Sequence, residues 1–271
     1  RDAIKAALEK DLAGLSALRN NLDVMSADLG AATQLISEMG GRLIVTGLGK
    51  SGHVAAKLAA TFSSTGTPAY FLHPAEASHG DLGMVQSSDV ILALSWSGET
   101  RELSDVIGYA KRHAVPVIAM TRAAQSTLAR AAEVTILLPE VREACPHNLA
   151  PTTSTLLQMA MGDAIAIALL DRRGFSEESF HGFHPGGSLG AVLKQVEEVM
   201  HPHDALPLVD HDVALVTALN VLSERGFGIV GVTKGEALAG VITDGDIRRY
   251  LAANADATMK SALHEATAAS L

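Results

Sequence analysis

Residues 42–62 read RLIVTGLGKSGHVAAKLAATF. A short β-branched run meets a glycine-rich turn, which opens a stretch with apolar residues at helical spacing. Apolar runs of four to seven residues without alternation are what strands buried on both faces look like, and such strands belong to parallel sheets covered by helices. The texture recurs downstream. AYFL (69–72), DVILALS (89–95), PVIAMT (116–121) and VTILL (134–138) are each followed by a helix-like segment. The pattern predicts an α/β fold, a doubly wound parallel sheet sandwich whose ligands bind beyond the C-terminal strand ends.

Working outward, residues 2–22 place Ile4, Leu8, Leu12, Leu15 and Leu18 at helical spacing, and residues 25–39 repeat the pattern. Two amphipathic helices are therefore expected ahead of the sheet. Behind it, residues 151–174 form a long apolar helical stretch closed by Gly174. MHPHDALP (200–207) reads as a boundary, after which helix, strand, strand and helix alternate in a smaller unit. The expected domains are 1–195 and 196–271, the second a small α+β region.

Composition narrows the function classes. The 271 residues are 48% hydrophobic, enough for a sizeable core. The longest apolar runs fall far short of the roughly 18 residues a bilayer span needs. No charged-then-apolar leader stands at the start, and Cys145 is the single cysteine, so a reduced, cytoplasmic setting is expected and neither disulfides nor a CxxC metal site. With a net charge of −9 and 21 scattered Lys and Arg, neither nucleic acid nor membrane is an expected partner. An anionic ligand would need a local electropositive site.

The turn GLGKSGH (47–53) can be tested against three phosphate-binding templates. A P-loop requires glycine five positions before Gly49-Lys50-Ser51, and Ile44 stands there, so that template fails. Gly47, Gly49 and Gly52 satisfy G-x-G-x-x-G between strand and helix. The acidic residue a dinucleotide needs after the next strand is replaced by His73 and Pro74, with Glu76 slightly beyond. The third template is a monoester-phosphate cradle. One βα unit later, LSWSGET (94–100) joins another strand to a helix, with Ser95, Ser97 and Thr100 around Gly98. Short hydroxyls and free N–H groups at a helix start suit a compact dianion.

GLGKSG and SWSGET together resemble the sugar isomerase (SIS) domain. AEASHGDLGMV (75–85), EACPHNLAPTTST (143–155) and HPGGSLG (184–190) sharpen the likeness to the D-arabinose 5-phosphate isomerases. GVITDGDIRR (240–249) resembles a CBS repeat, and the closing TMKSALHEATAASL is a remnant where a second repeat would stand. The resemblance implies an aldose–ketose isomerase interconverting D-arabinose 5-phosphate and D-ribulose 5-phosphate through an enediol, without cofactor, feeding Kdo and lipopolysaccharide synthesis. It implies Lys50, His79, Glu102, Glu143 and His184 as catalytic candidates. Gly49, Ser51, Gly52, Ser95, Ser97, Gly98 and Thr100 would bind substrate and phosphate. Glu143 is the preferred proton-transfer base, its pKa expected to be raised by desolvation. Glu102 would orient Lys50 or a substrate hydroxyl, and His184 and His79 would open the ring or shuttle protons. No metal is required, although His79 and His184 could offer inhibitory contacts to zinc. The family forms homo-oligomers, typically tetramers. Its CBS regions can take an adenosine nucleotide or sugar-nucleotide regulator, for which Thr243 and Asp246 match the ribose-contacting pattern. SIS domains also serve as sugar-phosphate sensors without catalysis, which is the alternative function.

Overall fold

The computed structural model describes residues 1–174 and 196–253. The chain divides into two compact units, Arg1–Leu193 and Lys194–Leu271.

In the first unit, helices α1 (Asp2–Asn20) and α2 (Leu22–Glu38) precede β1 (Leu43–Gly47), α3 (Gly49–Ser64), β2 (Ala69–Leu72) and the short α4 (Pro74–Ala77). A 3₁₀ turn (Asp81–Met84) leads to β3 (Val90–Leu94), and a second (Arg101–Leu103) leads into α5 (Ser104–His113). Then come β4 (Val117–Thr121), α6 (Thr127–Ala131), β5 (Val134–Leu137) and α7 (Thr153–Arg172). All five strands fall on the apolar runs read from the sequence. They form one parallel sheet in the order β2-β1-β3-β4-β5.

Every residue of β1, β3 and β4 is buried, because successive side chains alternate between two covered faces. Leu43, Val45, Leu92 and Leu94 pack with α1, α2, α3 and α7 in one cluster. Ile44, Ile91, Ala93 and Ala119 pack with α4, α5 and α6 in the other. This two-sided burial explains the lack of alternation in the strand sequences. Helix α7 is long and apolar enough to cross a membrane by length and composition, and half of it is buried against the unit, as suits a core helix.

The chain runs from β1 outward to β2, then crosses back to place β3 on β1's other side. The loops after β1 and β3 thus diverge at the order reversal, where doubly wound sheets leave a crevice. Register sets the loops side by side, for Gly47 partners Leu94 at the strand ends.

The second unit begins with α8 (Val196–Val199) and continues through β6 (Leu208–Asp210), α9 (Leu215–Arg225), β7 (Ile229–Lys234), β8 (Ala237–Thr243) and α10 (Asp244–Ala253). Its sheet runs β6-β7-β8, with β6 parallel and β8 antiparallel to β7. Val230, Val232, Leu215, Ala218 and Ile242 form its core.

Candidate active site

A cleft of about 360 Å³ opens beyond the C-terminal ends of the sheet, at the small end of the range for small-molecule sites and better suited to a compact ligand than to a dinucleotide. Lys50 and Ser51 reach it from the turn after β1, Trp96 from the loop after β3, and Arg122 from the end of β4. Glu143 and Ser154 close it from the segment leading into α7.

The first turn of α3 gives the cleft its positive end. Helix starts leave N–H groups without intrahelical partners, and the N-cap here is Leu48, whose side chain caps nothing. Lys50, exposed at the second helical position, adds a full charge, and Arg122 adds another across the cleft. Arg122 is only loosely committed elsewhere. Its Nη1 lies 3.1 Å from Glu140, a carboxylate 80% exposed, and such surface pairs contribute about 0–1 kcal/mol. Gly52 sits where α3 meets the end of β1. A Cβ there would lie 2.7 Å from the carbonyl oxygen of Gly47, so this glycine lets α3 approach the end of β1.

The loop after β3 differs from its sequence reading in one respect. The expected free N–H groups are engaged by the loop's own hydroxyls: Gly98 N–H donates to Ser95 Oγ at 3.0 Å and Glu99 N–H to Ser97 Oγ at 3.2 Å. Short hydroxyl side chains satisfy nearby backbone readily. Ser95 and Thr100 hydroxyls bond each other at 2.8 Å, and Ser95 is buried. Ser97 alone of these hydroxyl residues is well exposed. Gly98 has φ +68° and carries the turn. Glu99 turns away to α6, accepting both the N–H and the hydroxyl of Thr127, which hold its carboxyl below the usual range.

Glu143 is 8% exposed. Its Oε2 accepts the Thr152 N–H at 2.7 Å, the Thr152 hydroxyl at 3.0 Å and the Ser154 N–H at 3.2 Å. The N-cap Thr152 makes no side-chain cap bond of its own, so the carboxylate of Glu143 caps α7 from outside. This corrects the expectation of a raised pKa. Burial does push the carboxyl up and is the largest single influence, but the donors from Ser154 and Thr152 together outweigh it and hold the pKa below the ordinary value. Glu143 is consequently ionised at neutral pH. Asn148 steadies the loop by accepting the Glu143 N–H at 2.7 Å. Helix α1 buttresses it too, with Asp11 accepting the Thr153 hydroxyl at 2.7 Å and Lys10 donating to the Ala144 carbonyl at 3.3 Å.

Glu102 is exposed within the 3₁₀ turn before α5, and His79 is exposed just after α4; neither lines the cleft. No ion pair joins Glu102 to Lys50 among the described residues. His184 lies outside the described residues. His79 joins no cluster of metal-ligating side chains among them; the one such group is Asp210, His211 and Asp212 in the second unit. Thr243 and Asp246 form a capping box at the start of α10. The hydroxyl and N–H of Thr243 donate to Asp246 at 2.7 and 2.8 Å, and the Asp246 N–H returns to Thr243 at 3.3 Å. The Thr243 hydroxyl, then its N–H and Arg249, lower the Asp246 pKa to about 2.

Arg122, Trp96, Ser154 and Thr155 line the cleft and were missing from the sequence-based set. Arg122 could have been found, since it directly follows a strand, where sheets of this type place ligands. Ser154 and Thr155 needed the fold-back of α7.

Residues 35–168 match the SIS domain. Arabinose 5-phosphate isomerase KdsD of Pseudomonas aeruginosa is 48% identical over 239 residues, spanning 86% of this chain and 73% of the relative. The chain belongs to the arabinose 5-phosphate isomerase family. Another member, GutQ of Salmonella typhi, is 46% identical over 226 residues, covering 83% of this chain and 70% of its own. Among solved structures, an E. coli CFT073 protein in complex with arabinose 5-phosphate superposes with a TM-score of 0.63 at 36% identity, covering 67% of this chain and 95% of that one.

Proposed function

We propose that the first unit interconverts D-arabinose 5-phosphate and D-ribulose 5-phosphate through an enediol. The observation that carries this reading is the meeting, in one small cleft, of an uncapped helix start with Lys50, a second cation in Arg122 and a buried, ionised carboxylate in Glu143. The cations suit the phosphate and the oxyanion that develops on the enediol, and the carboxylate suits removal of the carbon-bound proton. Glu143 takes the proton from C2 of the aldose and returns it to C1. Lys50 stabilises the charge on the carbonyl oxygen. His184 and His79 open the furanose or move protons between oxygens, and Glu102 orients a hydroxyl. Ser51, in the first turn of α3, and Ser97, in the loop after β3, hold the phosphate.

A coupled assay offering arabinose 5-phosphate, ribulose 5-phosphate and glucosamine 6-phosphate, with and without chelator, tests the reading. Turnover of the two pentose phosphates alone, undiminished by chelator, is expected; turnover of glucosamine 6-phosphate alone would overturn it. Ser97→Ala is expected to weaken binding of both pentose phosphates by about 1–3 kcal/mol with an unchanged melting temperature. Unaltered affinity would place the phosphate elsewhere. Trp96, the single tryptophan, lines the cleft, so its fluorescence should respond to arabinose 5-phosphate and stay unmoved by NAD.

The wider assignment follows from the same family reading. The enzyme works as a cytoplasmic homotetramer supplying Kdo and lipopolysaccharide synthesis. The stripe of Ile4, Leu8 and Leu12 on α1, each more than half exposed, supports assembly. The unit after residue 195 is a CBS-like region with one repeat and part of a second. Thr243 and Asp246 would meet the ribose of an adenosine or sugar nucleotide there, which a thermal-shift titration with each nucleotide tests.

A further inference from the structure

Gln158 on α7 is fully buried, and its amide nitrogen Nε2 has no hydrogen-bond partner among the described residues. Its Oε1 lies 3.0 Å from the Ser51 hydroxyl. Gln158 follows Ser154 by four positions and Thr155 by three, so it shares their helix face, and it sits behind the cleft they line. Among the described residues, its hydrogen bond to the cleft lining is the one to Ser51. A buried amide with both N–H donors unspent is costly, and a stable helix core would more cheaply carry leucine or methionine at such a position.

The chemistry of the pair suggests why an amide is there. A primary amide presents two acceptor sites on one side and two donors on the other, and a half-turn about its last bond exchanges them. With Oε1 toward Ser51, the serine gives its proton to the amide and shows the cleft only lone pairs, which repel a phosphate dianion. With Nε2 toward Ser51, the amide donates instead. The serine proton is then released to point into the cleft at the first turn of α3.

We propose that Gln158 is a positioning residue that directs the Ser51 proton, turning its amide when a phosphate monoester enters so that Ser51 becomes a donor to it. The inference rests on the isomerase reading given above. It requires Gln158 to act on ligand affinity and only through Ser51.

Gln158→Met keeps the volume and removes both donor and acceptor. The expected result is a rise of about tenfold in KM for arabinose 5-phosphate and in Ki for inorganic phosphate, with kcat within about twofold of wild type. Adding Gln158→Met to Ser51→Ala should change neither constant further, because the amide would have no hydroxyl left to direct. In the wild-type protein, the side-chain amide ¹⁵N–¹H signals of Gln158 should move on addition of inorganic phosphate and not of arabinose, which gives a readout should the methionine variant fold poorly. Unchanged KM and Ki, a loss confined to kcat, effects additive with Ser51→Ala, or unmoved amide signals would each overturn the proposal while leaving the isomerase reading intact. Failure of wild-type Trp96 fluorescence to report any arabinose 5-phosphate binding would sink both.

Discussion

Glu143→Gln is expected to lower kcat by about two to four orders of magnitude while substrate still binds, since the amide keeps the volume and an acceptor and cannot take a proton. Wash-in of solvent deuterium, started from ribulose 5-phosphate, isolates the step. Exchange at C1 should vanish in Glu143→Gln and persist in His184→Asn, because ribulose 5-phosphate has its 5-hydroxyl esterified and needs no furanose ring opened. The reverse pattern would make His184 the base and Glu143 its orienting partner. The same substitution should also register in stability, because the carboxylate caps α7 through Thr152 and Ser154. Loss of a charged group at a helix start costs about 0.3–2 kcal/mol. The folded chain holds this carboxyl below its ordinary pKa, so its stabilising effect is complete above the normal carboxylate range and is lost as pH falls through the depressed value. Urea midpoints for wild type and Glu143→Gln should therefore differ at neutral pH and converge in acid. A gap independent of pH would mean that ionisation of Glu143 contributes nothing to the cap.

Gly98→Ala should be the most damaging single-methyl change in the loop after β3. The residue has φ +68°, and a Cβ built on it would lie 2.0 Å from Ser126 Oγ and 2.4 Å from Ser126 Cβ. Two costs combine. A left-handed conformation disfavours alanine by roughly 1–2 kcal/mol. Relieving the overlap also pushes aside Ser126, which caps α6 by accepting the Ala129 N–H at 3.2 Å; losing such a cap costs about 1 kcal/mol. Because Leu128 N–H donates to the Gly98 carbonyl at 3.0 Å, the loop and α6 cannot separate without a further loss. A destabilisation of about 2–4 kcal/mol is expected by chemical denaturation, with phosphosugar affinity reduced alongside it. Native stability in Gly98→Ala would mean the loop shifts freely, and its geometry would then not define the site.

Much of the fold is legible in the amino-acid sequence. Strands buried on both faces leave uninterrupted apolar runs, so β1 to β5 could be placed by eye, and the turn after β1 announced itself through its glycines. What the one-dimensional pattern withheld depends on long-range contact. The lowered pKa of Glu143 comes from donors nine and eleven residues away that meet it only once α7 starts where it does. Reasoning from burial alone named the largest influence and missed the sum of the smaller ones. The occupied N–H groups around Ser95 and Ser97 were hidden for the opposite reason: the competing bonds are so local that serine and threonine satisfy the turn themselves. Gln158 left a faint trace, a lone amide inside the apolar run LLQMAM (156–161), whose meaning needed Ser51 beside it.

The strand order also sets a timetable for synthesis on the ribosome. β1 lies between β2 and β3, and Gly47 must wait for Leu94, 47 positions later in the chain, before its outer edge is paired. At about 5–20 residues per second, that delay is roughly 2–10 s, and the cap that Glu143 places on α7 has to wait longer still. Until then the nascent chain presents an apolar strand edge, open to association with chaperones or with neighbouring chains. Rare codons placed between β1 and β3 should lengthen that exposure and lower the soluble yield, whereas the same codons after α7 should have little effect.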